Sequence, residues 1–331
     1  MKKILNKLFD HQSLDKEESR DILVRISQSE FNDAQIAAFI SVYLMRNISL
    51  EELSGFREAL LDLCVKVDID GADTIDLCGT GGDGKNTFNI STLSSFVVAG
   101  AGYRVTKHGN YGVSSVCGSS NVLEHLGYNF TNDGDTLNRQ LDASNICFLH
   151  APLFHPALKS VGRIRKELGV KTFFNMLGPL VNPVQPKQQL VGVFNLQLAR
   201  LYNYLHQQLD KSYCIVHSID GYDEVSLTGG VRLINSKEEL LVNPSYFGKE
   251  RLTPDQIFGG DTIESAAEIF KTVVSGNGTE AQNAVIQANS ALAIQCYDPN
   301  KSIEACVEEA KESLESGRAK QSLEQLIANS N

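Results

Sequence analysis

The stretch Thr74-Ile-Asp-Leu-Cys-Gly79-Thr-Gly-Gly-Asp83-Gly-Lys-Asn-Thr87-Phe-Asn-Ile-Ser91-Thr92 changes the texture of the chain. Its first five residues read as a short strand. The glycines allow positive φ and close approach of backbone N–H groups to an anion, and Asn89 or Ser91 can cap a following helix. These are the parts of a phosphate cradle, and also of an ordinary glycine-rich turn between strand and helix. Two phosphate motifs nearly coincide with the stretch, and each fails at one place. Gly79-x-Gly81-x-x-Gly84 fits the dinucleotide fingerprint, but the next strand, Tyr103-Arg-Val-Thr106, ends in Lys107 instead of the acidic residue that would hold a ribose hydroxyl. Gly79-x4-Gly84-Lys85 fits a nucleotide-triphosphate loop, but Asn86 stands where a Mg²⁺-binding Ser or Thr belongs.

Working outward, 331 residues of which 42% are hydrophobic can fill one large domain or a large and a small one. A formal charge of −10 disfavours nucleic acid and anionic membranes as partners, so any phosphate must be held by local N–H groups, a few cations and metal. The seven cysteines are scattered without a Cys-x-x-Cys pair and read as reduced thiols of a cytoplasmic protein. The N-terminal Met-Lys-Lys-Ile-Leu-Asn-Lys-Leu-Phe-Asp is too short and interrupted for a signal segment, and no run reaches the ~20 apolar residues of a membrane helix.

Upstream, residues 1 to about 65 show helical spacing over Lys16–Ser27, Ala34–Arg46 and Leu50–Cys64, the last opened by the capping-box pattern Ser49-Leu-Glu-Glu52. Val65–Asp73 reads as a linker. Downstream, strands and helices alternate, which favours an α/β unit with a mostly parallel sheet. Strands are expected at 74–78, 103–106, 147–150, 189–194 and 213–218, a hairpin at 231–235 and 239–242, and helices at 91–101, 121–126, 196–209 and through 262–330. Ala151–Pro183 interrupts the alternation, with helices expected at His155–Leu168 and Thr172–Leu177. The domains so read are 1–65, with an inserted helical segment at about 155–183, and 70–331.

Three places carry candidate chemistry beside the glycine loop. Asp223 and Glu224 are adjacent carboxylates in a loop after a strand, suited to Mg²⁺ and equally readable as a solvated acidic turn. Lys107, His108 and Asn110 open a Gly/Ser-rich loop whose N–H groups and hydroxyls at Ser114, Ser115 and Ser119 suit a diphosphate, or form an ordinary polar loop. Arg165 can meet a carboxylate or simply face solvent.

With Gly79-Thr-Gly-Gly-Asp83, Asn89-Ile-Ser-Thr92, Lys107-His-Gly-Asn110, Arg165, Asn175-Met-Leu-Gly-Pro-Leu-Val-Asn-Pro183 and Asp223-Glu224 in this order, the chain resembles the anthranilate phosphoribosyltransferases over nearly its whole length. The resemblance implies a small all-helical domain hinged to a large α/β domain, and a homodimer through the helical domain. It implies transfer of phosphoribose from phosphoribosyl pyrophosphate to the amino group of anthranilate in tryptophan biosynthesis, with two Mg²⁺ ions per monomer. Carried over, Gly79, Gly82, Asp83, Thr87 and Asn89, Ile90, Ser91 and Thr92 would hold phosphoribosyl pyrophosphate. So would Lys107, His108, Gly109, Asn110, Tyr111, Gly112, Val113, Ser114, Ser115 and Ser119. Anthranilate would meet Gly79, Asn110, Ala151, Pro152, His155 and Arg165, and the metal ligands would be Ser91, Asp223 and Glu224. No general acid or base is assigned.

The chain departs from that pattern at Tyr111 and Val116, where the family usually has Arg and Lys, so two cations near the diphosphate are missing. Two other readings compete. A pyrimidine nucleoside phosphorylase shares the layout but would need a different Lys/Ser/Arg set. A non-catalytic nucleic-acid-binding relative is opposed by the acidic charge.

Overall fold

Four helices, Lys2–Phe9, Lys16–Ser27, Asp33–Met45 and Leu50–Leu63, open the computed structural model, which describes residues 1–70, 73–112 and 116–330. The first was not expected: its apolar residues are broken up by lysines, and only Leu8 is buried. The other three each begin at a reciprocal capping box, formed by Asp15 with Glu18, Asn32 with Gln35 and Ser49 with Glu52. Contacts divide the chain into two compact units, Met1–Lys66 with Ala151–Pro183, and Val67–His150 with Val184–Asn331.

In the helical unit, the later segment is fastened to the earlier one by Val65 N–H on the Phe154 carbonyl (2.8 Å) and Arg57 Nε–H on the Leu180 carbonyl (3.1 Å). Phe173 stacks on Phe56 at 4.8 Å and meets Phe39 edge-on. The single helix expected over His155–Leu168 is two pieces, a 3₁₀ turn at Pro156–Leu158 and a helix at Lys159–Leu168, and a separate short helix at Ala151–Phe154 stops before Pro156, which cannot donate within a helix.

The second unit holds seven strands, β1 Ile75–Gly79, β2 Val105–Gly109, β3 Ile146–His150, β4 Gln188–Gly192, β5 Ser212–Ser218, β6 Val231–Asn235 and β7 Glu239–Val242, ordered β3-β2-β1-β4-β5-β6-β7. The first five are parallel neighbours, and β6 and β7 pair antiparallel at one edge. β2 reaches Gly109, so Lys107 and His108 are strand residues, not the opening of a loop. The helix Gly134–Ser144 was not foreseen. It is capped by Asp133 and buries only four residues, a weak apolar pattern in polar sequence.

Chain direction across the sheet reverses between β1 and β4: β1 to β3 build one way, β4 and β5 the other. A crevice opens at the carboxyl ends of strands at such a switch point. β1 turns Ile75 and Leu77 to the core, where they meet the buried helix Ile90–Gly100. That helix packs closely on the C-terminal helices, and a Cβ on Gly100 would fall 2.6 Å from the Ala319 nitrogen.

Glu52 is fully buried in the helical unit. Its carboxylate accepts from Leu14 N–H (3.0 Å), Ser49 N–H (2.9 Å), Tyr43 O–H (3.2 Å) and Arg46 Nη1 (2.9 Å) and Nη2 (2.5 Å). Burial pushes its pKa up, but Arg46 and the N–H donors outweigh burial and leave it below the ordinary carboxylate value. Glu52→Gln is therefore expected to destabilise this unit by about 3 kcal/mol in urea denaturation at pH 7, with Arg46 left uncompensated. Because the folded pKa is depressed, the parent's advantage over the variant should be present above the unfolded carboxylate pKa and disappear as pH falls through the folded one.

Candidate functional site

At the carboxyl ends of β1 and β4, Gly79 and Gly192 lie opposite each other in register. The missing side chains make a slot. A Cβ on Gly192 would overlap the Asp223 backbone carbonyl, and a Cβ on Gly79 would overlap the Asp223 carboxylate. Asp223 fills the slot, and its Oδ2 accepts from Gly81 N–H at 2.7 Å. Gly81, Gly82 and Gly84 have φ of +61°, +77° and +73°, the left-handed region in which glycine is unstrained, and this turns the loop so that Gly81 N–H faces the carboxylate. Lys85 Nζ rests 4.7 Å above the Tyr222 ring, a second tie between the two loops.

Glu224 reaches the N-terminus of the helix Ile90–Gly100, where Ser91 N–H donates to its Oε1 at 2.9 Å. Asn89, the residue before that helix, makes no side-chain cap, so the carboxylate does the capping from the far side of the sequence. Its Asn89 Nδ2 instead donates to the Cys117 carbonyl at 2.9 Å. Thr87 bridges to Phe258, holding the far end of the glycine loop. Asp223 and Glu224, with Ser91, Ser94, Gly192 and Asn289, line a small pocket with room for about one water.

The charges in this pocket are unbalanced. Burial, then the charge of Asp83, raises the Asp223 pKa to about 7, against the pull of Gly81 N–H. Burial and the charges of Asp223 and Asp83 hold Glu224 well above the usual carboxylate range, although Ser91 N–H and Lys107 pull it down. Lys107 is itself only 2% exposed, and its Nζ donates to the Leu77 carbonyl at 2.6 Å. Burial pushes its pKa down, and Asp76, Cys78 and Glu224 push it up.

The segment after β2 is held at its described ends. Asn121 Oδ1 accepts from Gly112 N–H (2.9 Å) and Gly118 N–H (3.0 Å), and the Asn110 carbonyl accepts from Ser120 N–H (3.1 Å) and Ser119 Oγ (3.2 Å). Val113, Ser114 and Ser115 lie outside the described residues. Tyr111 O–H donates to Glu124 at 3.2 Å, and its ring stands edge-on to His150 at 5.0 Å. His150 stacks on Phe130 at 4.1 Å and lies 2.9 Å from Ser120 Oγ, with its pKa lowered to about 4 by burial. In the helical unit, Arg165 lies against the Phe174 ring at 5.3 Å, its Nη2 3.3 Å from Asn175 Oδ1. Burial lowers its pKa, and no carboxylate among the described residues pairs with it. His155 is 2% exposed, and its pKa is lowered to about 4 by burial against the pull of the Val181 and Leu60 backbone.

Hard oxygen donors that line one pocket and hold their protons for want of countercharge suit a hard cation. Among the described residues no three His, Cys, Asp or Glu side chains group into a metal cage. Mg²⁺ asks for less, since one or two carboxylates with water and substrate phosphates are its usual set. Asp223, Glu224 and the adjacent Ser91 fit that set.

Residues 71–320 match the model of a glycosyl transferase family a/b domain, and residues 2–64 that of its helical bundle domain. The anthranilate phosphoribosyltransferase of Flavobacterium johnsoniae is 57% identical over 329 residues, covering 98% of both chains. The chain belongs to the anthranilate phosphoribosyltransferase family. The Saccharomyces cerevisiae anthranilate phosphoribosyltransferase in complex with PRPP and Mg has a similar structure, with a TM-score of 0.90 at 27% identity over 98% of this chain and 96% of that one. The same yeast protein in complex with 4-fluoroanthranilate gives 0.88 at 27% identity, with the same coverage.

For a member of the anthranilate phosphoribosyltransferase family, the motif residues of the α/β unit fall on four segments, the glycine loop, the first turn of helix Ile90–Gly100, the end of β2 with Asn110, and the Asp223-Glu224 loop. Sequence reasoning did not find Gly192, Tyr222 or Asn289. Gly192 was legible in principle as a glycine closing a strand, but only strand order puts it beside β1. Asn289 sits in an alanine-rich helix with nothing to mark it.

A raised carboxyl pKa means that the folded, metal-free protein binds a proton the unfolded chain has released. Stability from this group is therefore greatest at low pH and falls as pH rises towards about 7. Thermal melts in chelator from pH 5 to 8 should show the parent losing stability over this range and Asp223→Asn losing less. Equal slopes would refute the assignment.

Proposed function

We propose that this protein transfers the phosphoribosyl group of phosphoribosyl pyrophosphate to the amino group of anthranilate. The bond from the anomeric carbon to pyrophosphate breaks, a carbon–nitrogen bond forms, and the amine proton leaves to solvent. The observation that carries this reading is the meeting of the glycine loop, the helix N-terminus and the Asp223-Glu224 pair at the β1/β4 switch point, in a chain whose relatives bear this activity in their names.

The proposed roles are those the family resemblance implies. Gly79, Gly82 and the Asn89–Thr92 turn, with Asp83 and Thr87, hold the phosphoribose and diphosphate, and Lys107–Gly112 with Ser119 complete that side. Lys107 acts through its field from below, since its ammonium is held at Leu77. Asp223, Glu224 and Ser91 are the proposed ligands for Mg²⁺, two ions per chain, and Mg²⁺ when bound offsets charge on the departing diphosphate. Arg165, a partly buried guanidinium with no carboxylate partner among the described residues, is suited to the anthranilate carboxylate. Ala151, Pro152 and His155 of the helical unit, His155 as buried backing, and Gly79 and Asn110 of the α/β unit are the other residues proposed for anthranilate. No side chain is needed as a base, because an aniline nitrogen becomes strongly acidic once it has attacked.

We further infer a homodimer through the helical unit, where Phe9, Leu44 and Met45 are 58%, 46% and 88% exposed. The cytoplasm is the proposed compartment, to which seven free cysteines are suited. No helix among the described residues is long and apolar enough to cross a membrane.

Mixing the protein with phosphoribosyl pyrophosphate and anthranilate should extinguish anthranilate fluorescence in a Mg²⁺-dependent way. The Asp223→Asn/Glu224→Gln double variant should lose about 100-fold or more. No loss from the folded parent at any Mg²⁺ concentration would refute the reading. Arg165→Ala should raise KM for anthranilate about tenfold or more and leave that for phosphoribosyl pyrophosphate unchanged.

At Tyr111 a hydrogen bond and ring contacts replace the charge the family usually places there. Tyr111→Arg combined with Val116→Lys should therefore lower KM for phosphoribosyl pyrophosphate, and an unchanged or higher value would mean the missing cations are immaterial.

A further inference from the structure

The segment carrying Asp223 and Glu224 follows β5 without helix or strand of its own until β6 begins at Val231. It is also held in an unfavourable backbone shape. Leu227, 2% exposed, has φ of +59°, a left-handed conformation that disfavours a side chain of its size. Asp223 is 7% exposed and Glu224 half-buried, and when both are ionised their like charges push such a segment outward. Something outside the segment must hold it.

Two side chains do so, both at the peptide group that joins Glu224 to Val225. Asn289, in the middle of the helix Glu280–Tyr297 and 4% exposed, meets the backbone of Val225 with both ends of its amide. Its Oδ1 accepts from Val225 N–H at 3.0 Å and its Nδ2 donates to the Val225 carbonyl at 2.9 Å. A third bond, from Nδ2 to the Val285 carbonyl at 2.9 Å, fixes the amide against its own helix. Ser218, the last residue of β5, donates its Oγ–H to the Glu224 carbonyl at 2.6 Å. The Ser218 hydroxyl is itself 3.4 Å from Ser226 Oγ, which lies 2.7 Å from Thr228 Oγ1. The backbone that follows the Glu224 side chain is thus tied at once to a rigid helix and a rigid strand.

We propose that Asn289 and Ser218 are positioning residues for metal binding: they clamp the backbone at Glu224 and Val225 so that the two carboxylates stay aimed at Gly81, Ser91 and the pocket between them. This rests on the assignment of Asp223 and Glu224 as the Mg²⁺ ligands. Neither side chain needs to touch the ion. The clamp works by removing the backbone freedom that the carboxylates would otherwise use to separate, and groups that orient metal ligands in this way commonly govern affinity by about 10- to 100-fold.

The test compares the parent with Asn289→Ala, Ser218→Ala and the control Asn283→Ala. Asn283 lies on the same helix and bonds only the Gly278 carbonyl, at 3.2 Å. Mn²⁺ binding in the presence of phosphoribosyl pyrophosphate is followed by the electron paramagnetic resonance of free Mn²⁺, alongside Mg²⁺ titrations of the transferase and thermal melts. The expected result is Mn²⁺ binding and Mg²⁺ activation each weakened about tenfold or more in both clamp variants, an unchanged KM for anthranilate, and parent-like behaviour of Asn283→Ala. Parent-like Mn²⁺ binding in the clamp variants overturns the proposal. So does an equal loss of Mn²⁺ and anthranilate affinity, which would mark a general loss of structure. If Asn289→Ala does not fold, Ser218→Ala, which removes one hydroxyl, decides by the same criteria. A parent that neither binds Mn²⁺ nor transfers phosphoribose instead sinks the functional reading itself, and this proposal with it.

Discussion

Asp223 occupies space that a side chain on either Gly79 or Gly192 would need, and most of the site's geometry follows from that exclusion. Two neighbouring parallel strands end in glycine at the same level, leaving a notch at the switch point of the sheet. A carboxylate inserted there is cut off from water, which is costly unless donors or a cation meet it. Gly81 N–H supplies one donor, and the positive φ of the loop glycines aims it. The glycine loop is therefore shaped partly around a protein carboxylate.

The same economy of groups appears at Glu224. The helix Ile90–Gly100 begins without a side-chain cap of its own, and the carboxylate satisfies one of its free N–H groups. Glu224 thus joins the helix start to the loop after β5. Lys107, beneath both, is buried with its ammonium on a backbone carbonyl, so its charge enters the pocket as a field without filling it. The outcome is a site preset for positive charge, with carboxyl groups that stay protonated more readily than usual until a cation replaces the proton.

Preset sites need support from rigid elements, and here the support is divided. Backbone N–H groups hold the carboxylates from the front. Asn289 and Ser218 hold the main chain from behind, drawing on a helix and a strand that are fixed by the core. On the other side of the crevice, Asn121 closes the loop after β2 through Gly112 and Gly118, and Tyr111 fastens to Glu124 and His150. A loop that lacks two of the family's usual cations is still anchored, by contacts of a different kind.

By itself the sequence determined the elements and the chemical vocabulary. Helical spacing with capping boxes, the alternation of strands and helices, the three positive-φ glycines and the adjacent carboxylates are local features, fixed by propensity and spacing over a few residues. They were enough to name the α/β unit, the glycine loop and the Asp223-Glu224 pair. Residues whose meaning depends on a partner far along the chain were not legible. Gly192 matters because β4 pairs with β1, Lys107 is buried because β2 runs three residues further than its apolar pattern suggests, and Asn289 is set apart from other polar helix residues only by the loop packed against it. Whether an Asp-Glu pair lies in a solvated turn or is withdrawn from bulk water is a question of dielectric and neighbouring charge. Those quantities arise only when distant segments pack together and exclude water, so tertiary structure alone decided them.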